Sequence, residues 1–281
     1  MSLETRIYQK ENHLRAGKVL RHIFKDIKSS RFLARQLAVR DIKAQYRQSF
    51  LGIFWAFVMP LTTAFVWIFL NGTGTVKLTD TGVPYPVFAF SGTLLWSIIT
   101  DSINAPIENT AAARGILSKI NFPKEALIIS GIYKLLFNSL VKIVLLVVFV
   151  FLYGVGFHPT LLLFPVAILG AILFGTTIGI FLTPIGMLYK DIQKVISIGL
   201  GLVMYVTPVV YSVPKDGLMK TFMEWNPFTP IILTTRDFVL GVEPEYLSYF
   251  LILTGICIPL LFIGLLFYKI SVPIFTERLS A

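Results

Sequence analysis

Six stretches of the chain are apolar over lengths that only a membrane accommodates together. They run at about Leu51–Leu70, Pro84–Thr100, Ala126–Phe157, Thr160–Leu188, Ile192–Tyr211 and Tyr246–Tyr268. An α-helix rises 1.5 Å per residue, so about 20 apolar residues cross the ~30 Å hydrocarbon core of a bilayer. The third and fourth stretches are long enough to tilt or to project beyond it. Composition excludes the alternatives. Of 281 residues, 55% are hydrophobic and 14% charged, whereas soluble domains carry roughly 25% charge. The single cysteine, Cys257, excludes a disulfide scaffold, and 24 Phe exclude a disordered chain. The expected fold is therefore all-α and integral to the membrane, with six transmembrane helices.

The net charge of +10 is not spread evenly. Residues 1–50 hold twelve Lys/Arg and four acids. No apolar run of signal-peptide type precedes residue 50, so no cleaved leader is expected. Six spans put both termini on one side. That side collects the N-terminal twelve together with Arg114, Lys119, Lys124, Lys190, Lys194, Lys269 and Arg278; the other side has Lys77, Lys215, Lys220 and Arg236. Basic residues gather on the cytoplasmic face, which places both termini in the cytoplasm. The excess is thus a matter of topology, and no nucleic-acid partner is expected.

If residues 31–50 are helical, Phe32, Val39, Ile42, Tyr46 and Phe50 fall in one stripe, flanked by Arg40, Lys43 and Arg47. That is the pattern of an amphipathic helix lying in the membrane interface with its basic side chains reaching headgroups. It serves equally as a lipid-surface anchor or as a docking surface for a cytoplasmic partner. Pro106 and Pro123 bound a loop whose alanine-rich part, 108–118, is read as a short helix, either a lever between spans two and three or an ordinary connector. Between spans five and six, residues 212–245 contain four prolines, with Trp225 and Phe228 among them. A structureless loop of that length is unusual, and its apolar part, 227–240, is too short to span. A re-entrant or interfacial piece fits it.

Catalytic groups are sparse. His13, His22 and His158 are scattered and share no metal-binding spacing. No G-x-x-x-x-G-K-[ST] phosphate loop occurs; the Gly17–Lys18 pair lacks the upstream glycine. No span holds paired carboxylates. The Gly175–Gly179 spacing marks close helix packing rather than a site. A pathway is better supported than an enzyme. Its first candidates lie on span three, where Ser130, Lys134, Asn138 and Lys142 recur every four residues and form one stripe of a helix. A lysine at the bilayer centre costs about 2.5–3.5 kcal/mol on insertion scales. The stripe therefore faces a cavity or a partner helix, unless the span starts late and the lysines snorkel. The second candidates are Tyr46, Phe50, Phe54, Trp55 and Phe57, either an interfacial aromatic belt or a surface for sliding sugar rings.

The junction Arg40-Asp41-Ile42-Lys43-Ala44-Gln45-Tyr46-Arg47-Gln48-Ser49-Phe50-Leu51-Gly52-Ile53-Phe54-Trp55-Ala56, continuing to Pro60-Leu61, resembles the first motif of ABC-2 type polysaccharide exporters. Further similarities follow in the same order: Asn121-Phe122-Pro123-Lys124-Glu125 with Lys119 before it, Tyr189-Lys190-Asp191-Ile192, Thr207-Pro208-Val209-Val210-Tyr211, and Asn226-Pro227-Phe228 with Arg236 downstream. The resemblance covers about residues 31–270. Lys190 departs from the usual arginine; it keeps the charge but loses the planar bidentate fork. The resemblance implies a half-transporter: a homodimer with two copies of a separate ABC ATPase, exporting a lipid-linked polysaccharide of O-antigen or capsule type across a bacterial inner membrane. No cofactor is implied in this chain, ATP and magnesium being held by the ATPase. Residues 1–50 would be a cytoplasmic segment, 51–270 the transmembrane domain and 271–281 a cytoplasmic tail. Arg40, Asp41, Lys43, Arg47, Glu108, Asn109, Arg114, Leu117, Lys190 and Asp191 would dock the ATPase. Tyr211, Trp225, Asn226, Phe228 and Arg236 would form the exit mouth. The span-three stripe and first-span aromatics would line the pathway. Alternatives are an exporter of teichoic acid or of a small amphiphile, a passive channel, or an enzyme acting on lipid-linked sugars.

Overall fold

The computed structural model describes residues 16–47, 52–74, 82–113, 115, 122–189 and 191–280. Every regular element among them is helical. The helices are α1 (Ala16–Arg47), α2 (Trp55–Gly72), α3 (Tyr85–Ala112), α4 (Glu125–Leu152), α5 (Phe164–Leu188), α6 (Ile192–Tyr205), α7 (Leu218–Trp225), α8 (Phe228–Leu240) and α9 (Leu247–Ser280), with 3-10 turns at Gly52–Phe54 and Pro159–Leu162. Four of them are long and apolar enough to cross a membrane: α3, α4, α5 and the Leu247–Val272 part of α9. The apolar helices α2 and α6 are shorter. At 14 residues α6 spans only about 21 Å.

The centre of the bundle is α3 and α5, whose most apolar windows are 78% and 61% buried, against 28% for α4 and 22% for α9. This explains how α3 can be the least apolar of the four, since its polar residues meet protein rather than lipid. Small residues set the α3–α5 approach. A Cβ on Gly175 would lie 2.6 Å from the Ser102 Cβ and 2.9 Å from the Ile99 carbonyl, and one on Gly179 would collide with the Ile103 carbonyl. The Gly175–Gly179 spacing is thus a packing device, as its small-residue pattern suggests.

Several boundaries differ from the sequence reading. α3 continues twelve residues past Thr100 and passes through Pro106 without ending. Glu108–Ala112 is therefore its last turn, not part of a separate loop helix; residues 114 and 116–121 lie outside the described residues. The polar residues after Thr100 suggested a loop, but they belong to a continuing helix, with Ser102 and Thr110 buried, Asp101 and Asn104 partly exposed and Glu108 exposed. The third apolar stretch ends at Leu152, where Gly154 and Gly156 take φ of +76° and +78°, a region that favours glycine. Residues 212–245, by contrast, contain two helices, α7 and α8, where a short apolar piece was expected, and α8 is buried along nearly its whole length against α5, α3 and α9.

α1 packs on α4 through a face of small residues, Ser30, Ala34 and Ala38, all buried. The stripe expected to be its apolar face points the other way: Phe32 is 75% exposed and Val39 also faces outward. The helix has two apolar faces, and the small one takes the close protein contact. An ion cluster secures the helix at Asp26. Lys269 of α9 meets Asp26 of α1 at 2.6 Å and buried Glu125 of α4 at 3.0 Å. Beside it the Tyr268 hydroxyl lies 3.1 Å from that of Thr110 and donates to the Lys124 carbonyl at 3.3 Å.

Candidate transport pathway and clasp

The span-three stripe does not face lipid. Lys142 is buried, and its ammonium donates to Asp101 of α3 at 2.6 Å and to the Ser97 hydroxyl. Asp101 belongs to a second stripe that sequence reading missed: Ser97, Asp101, Asn104 and Glu108, spaced by four, three and four on one face of α3. The signal was present in that spacing, hidden because the polar residues lay beyond the expected end of the span. Lys134 and Asn138 of α4 face this stripe across a cavity of about 210 Å³, with Gln45 of α1 at its edge. Lys134 lies close enough to Glu108 for the two charges to interact. Ser130 is buried one turn nearer the start of α4. It lines a separate, mainly apolar cavity of about 270 Å³ beneath α1, together with Leu33, Leu37 and Phe122. Asn109 borders both cavities and donates to the Ala105 carbonyl at 2.8 Å.

Two of the aromatics can be placed relative to this seam. Phe54 and Trp55 are exposed at the start of α2 and line neither cavity. Phe50 and the side chains of Tyr46 and Phe57 lie outside the described residues. Of the docking candidates, Lys43 and Arg47 are exposed on α1, whereas Arg40 pairs with its neighbour Asp41 at 2.8 Å. Glu108 and Asn109 turn toward the cavities. Asp191 is exposed before α6; Arg114, Leu117 and Lys190 lie outside the described residues.

The residues expected at the exit mouth form a clasp. Asn226 donates to the Val206 carbonyl at 3.1 Å and to the Thr207 hydroxyl at 2.8 Å, and its side-chain oxygen accepts the Phe228 amide at 3.0 Å. One asparagine thus ties the end of α6 to the start of α8. Phe228 packs against Trp96 and Phe174, with ring centroids 5.5 and 5.1 Å away. Arg236 is buried, not at a surface. It donates to the carbonyls of Pro208 and Val209 at 3.1 and 3.2 Å, and its guanidinium stacks 3.7 Å over Phe88. The two carbonyl dipoles and the Phe88 face partly compensate the cation, and the neighbouring Asp237 carboxylate adds to this. Tyr85 donates to the next carbonyl, that of Val210, at 3.0 Å. Any Cβ at Gly92 would collide with the Val209 carbonyl. Tyr211 donates to the Tyr205 carbonyl. Trp225 alone of these residues is widely exposed.

The described residues thus form an all-helical bundle with four membrane-length helices and polar groups gathered along an interhelical seam. The family profile described as ABC-2 type transporter matches residues 33–240, and the chain belongs to that family. It is 27% identical to the O-antigen export system permease protein RfbA of Klebsiella pneumoniae over 77% of this chain and 84% of that one. To the RfbA of Myxococcus xanthus it is 27% identical, over 75% and 81% of the two chains. With the polysialic acid transport protein KpsM of Escherichia coli it shares 26% identity over 83% and 91%.

Proposed function

We propose that two copies of this chain form the membrane pathway of an exporter that moves a lipid-linked polysaccharide, of O-antigen or capsule type, to the outer face of a bacterial inner membrane. ATP is hydrolysed, with magnesium, on two copies of a separate ATPase. The observation that carries this reading is the family membership together with relatives named for O-antigen export and polysialic acid transport, matched over three quarters or more of each chain. Two faces are open to a second copy in this reading. α6 has no buried residue, and α2 exposes Met59, Phe65, Val66 and Phe69. A second copy covers such faces and leaves a conduit between them. In this reading α2 and α6 are the first and fifth of six spans, both termini are cytoplasmic, and α8 is a re-entrant piece that completes the outer leaflet above short α6. α1 lies in the interface with Phe32 and Val39 toward lipid, presenting Lys43 and Arg47 to the ATPase.

Affinity purification of the tagged chain, expressed with an ABC ATPase of polysaccharide-exporter type from the same genome, tests the assignment. The chain alone hydrolyses no ATP, and the ATPase copurifies with it. Charge reversal at Lys43 and Arg47 lowers recovery of the ATPase and of surface glycan together. Undiminished recovery of both would remove α1 from the docking surface, and failure of the ATPase to copurify with the wild type would contradict the reading.

A further inference from the structure

The seam between α3 and α4 is more specific than a hydrated gap. Its charges balance in number: Lys142 is paired with Asp101 at 2.6 Å, and Lys134 and Glu108 share the lining. Around these charges the lining adds the amides of Asn104 and Gln45, and the carboxylates of Asp101 and Glu108 keep lone pairs that can still accept. The cavity is also not sealed, since 45% of the Asp101 side chain remains exposed. A phosphate or diphosphate calls for uncompensated cations or several convergent N–H donors, and the pairing at Lys142 withdraws the strongest of them. Vicinal hydroxyls call for something else. Each donates and accepts, so groups that accept through carboxylate and both donate and accept through amide complement a pyranose edge. At about 210 Å³ the cavity has room for roughly seven waters at ~30 Å³ each, the scale of one sugar ring and well short of an oligosaccharide.

We infer that the α3–α4 cavity binds one uncharged sugar unit through its hydroxyls. This rests on the exporter reading above and names where and by what chemistry that exporter first holds its cargo. The place suits the task. The cavity lies in the half of α3 and α4 nearest their Ala112 and Glu125 ends, which is the cytoplasmic half in the proposed topology, and Gln45 brings in the last turns of α1 just before the chain enters α2. A single weakly held ring gives recognition without arrest: a polymer that must move on is not bound tightly at any one unit.

The experiment uses the full chain in lipid nanodiscs free of glycoside detergent. Methyl α-glycosides of glucose, galactose and mannose are the probes, read by saturation-transfer NMR, with inorganic pyrophosphate as competitor. At least one glycoside is expected to bind in the millimolar range, at least fivefold more weakly to Asn104→Leu and to Glu108→Gln, unchanged in the outer-surface variant Lys220→Ala, and undisturbed by pyrophosphate. Should the α3 variants fail to assemble, Gln45→Leu at the exposed end of α1 is the replacement, with the same loss expected. No saturation transfer from any glycoside, transfer that the cavity variants leave unchanged, or displacement by pyrophosphate would each overturn the site. Surface glycan in cells lacking the chromosomal exporter separates the two claims. Wild-type export without glycoside binding refutes the cavity alone, and absence of wild-type export refutes the exporter reading itself.

Discussion

Arg236 and Lys142 show how a membrane bundle accommodates buried cations by two different routes. Lys142 has a carboxylate, and Arg236 has carbonyls and an aromatic face. The first route predicts coupling. Lys142→Leu leaves Asp101 without its partner and is expected to cost about 1–2 kcal/mol, below the 3–5 typical of fully buried pairs because Asp101 is half exposed. Lys142→Leu with Asp101→Leu should recover most of that loss. Thermal unfolding of the purified variants reads it, and a double variant no better than the single would show that the pair does not hold α3 to α4. The second route predicts a one-sided penalty. Arg236→Ala strips donors from two carbonyls and should destabilise by about 2–4 kcal/mol, with Arg236→Lys intermediate; equal stability in the same assay would contradict the clasp. Of these residues, the α4 stripe was legible in the sequence from its four-residue period. Its counterpart on α3 was not, because a run of polar residues at the end of an apolar stretch looks the same whether the helix stops or continues against protein. Arg236 was legible as a matched position but not as a buried one, since its acceptors are backbone carbonyls that no side-chain pattern announces.

At the scale of elements, the resemblance motifs turn out to be joints. Asn226-Pro227-Phe228 and Thr207-Pro208-Val209-Val210-Tyr211 grip one another across the outer end of α6, and Pro123-Lys124-Glu125 brings a buried carboxylate to Lys269. The second joint ties α1 to α4 and α9. Because Lys269 is the counter-ion of buried Glu125 while being itself partly exposed, its loss is expected to cost about 2–3 kcal/mol and to loosen α1 locally. Amide exchange should quicken in peptides covering residues 26–38 after Lys269→Ala and stay unchanged in α8. Unaltered protection of α1 would mean that the face of Ser30, Ala34 and Ala38 suffices to hold it. Helix existence was legible from the apolar stretches; helix ends were legible only where glycine punctuates, as at Gly154. The shortness of α6 and the burial of α8 depend on each other, and neither follows from one segment read alone.

For the whole molecule, length and charge agree on a topology that labelling can check. Cysteines placed at Ser2 and at Ala281, in a Cys257→Ser background, should stay unreactive to an impermeant maleimide in sealed cells and react after lysis; ready labelling of either in intact cells would invert the orientation. The apolar bulk and the all-helical fold were evident from the sequence because a bilayer admits so few architectures. The conduit was not, because a surface that faces a second copy is as apolar as one that faces lipid. The most direct test of the exporter account is transport itself. The chain and its ATPase are reconstituted in proteoliposomes with the ATPase outward, and a lipid-linked glycan labelled on its sugar is added to the outer leaflet. With ATP and magnesium, the label should become inaccessible to an external glycosidase, at a rate abolished by omitting ATP or by leaving out this chain. Label that stays fully accessible despite ATP hydrolysis by an intact complex would contradict the account.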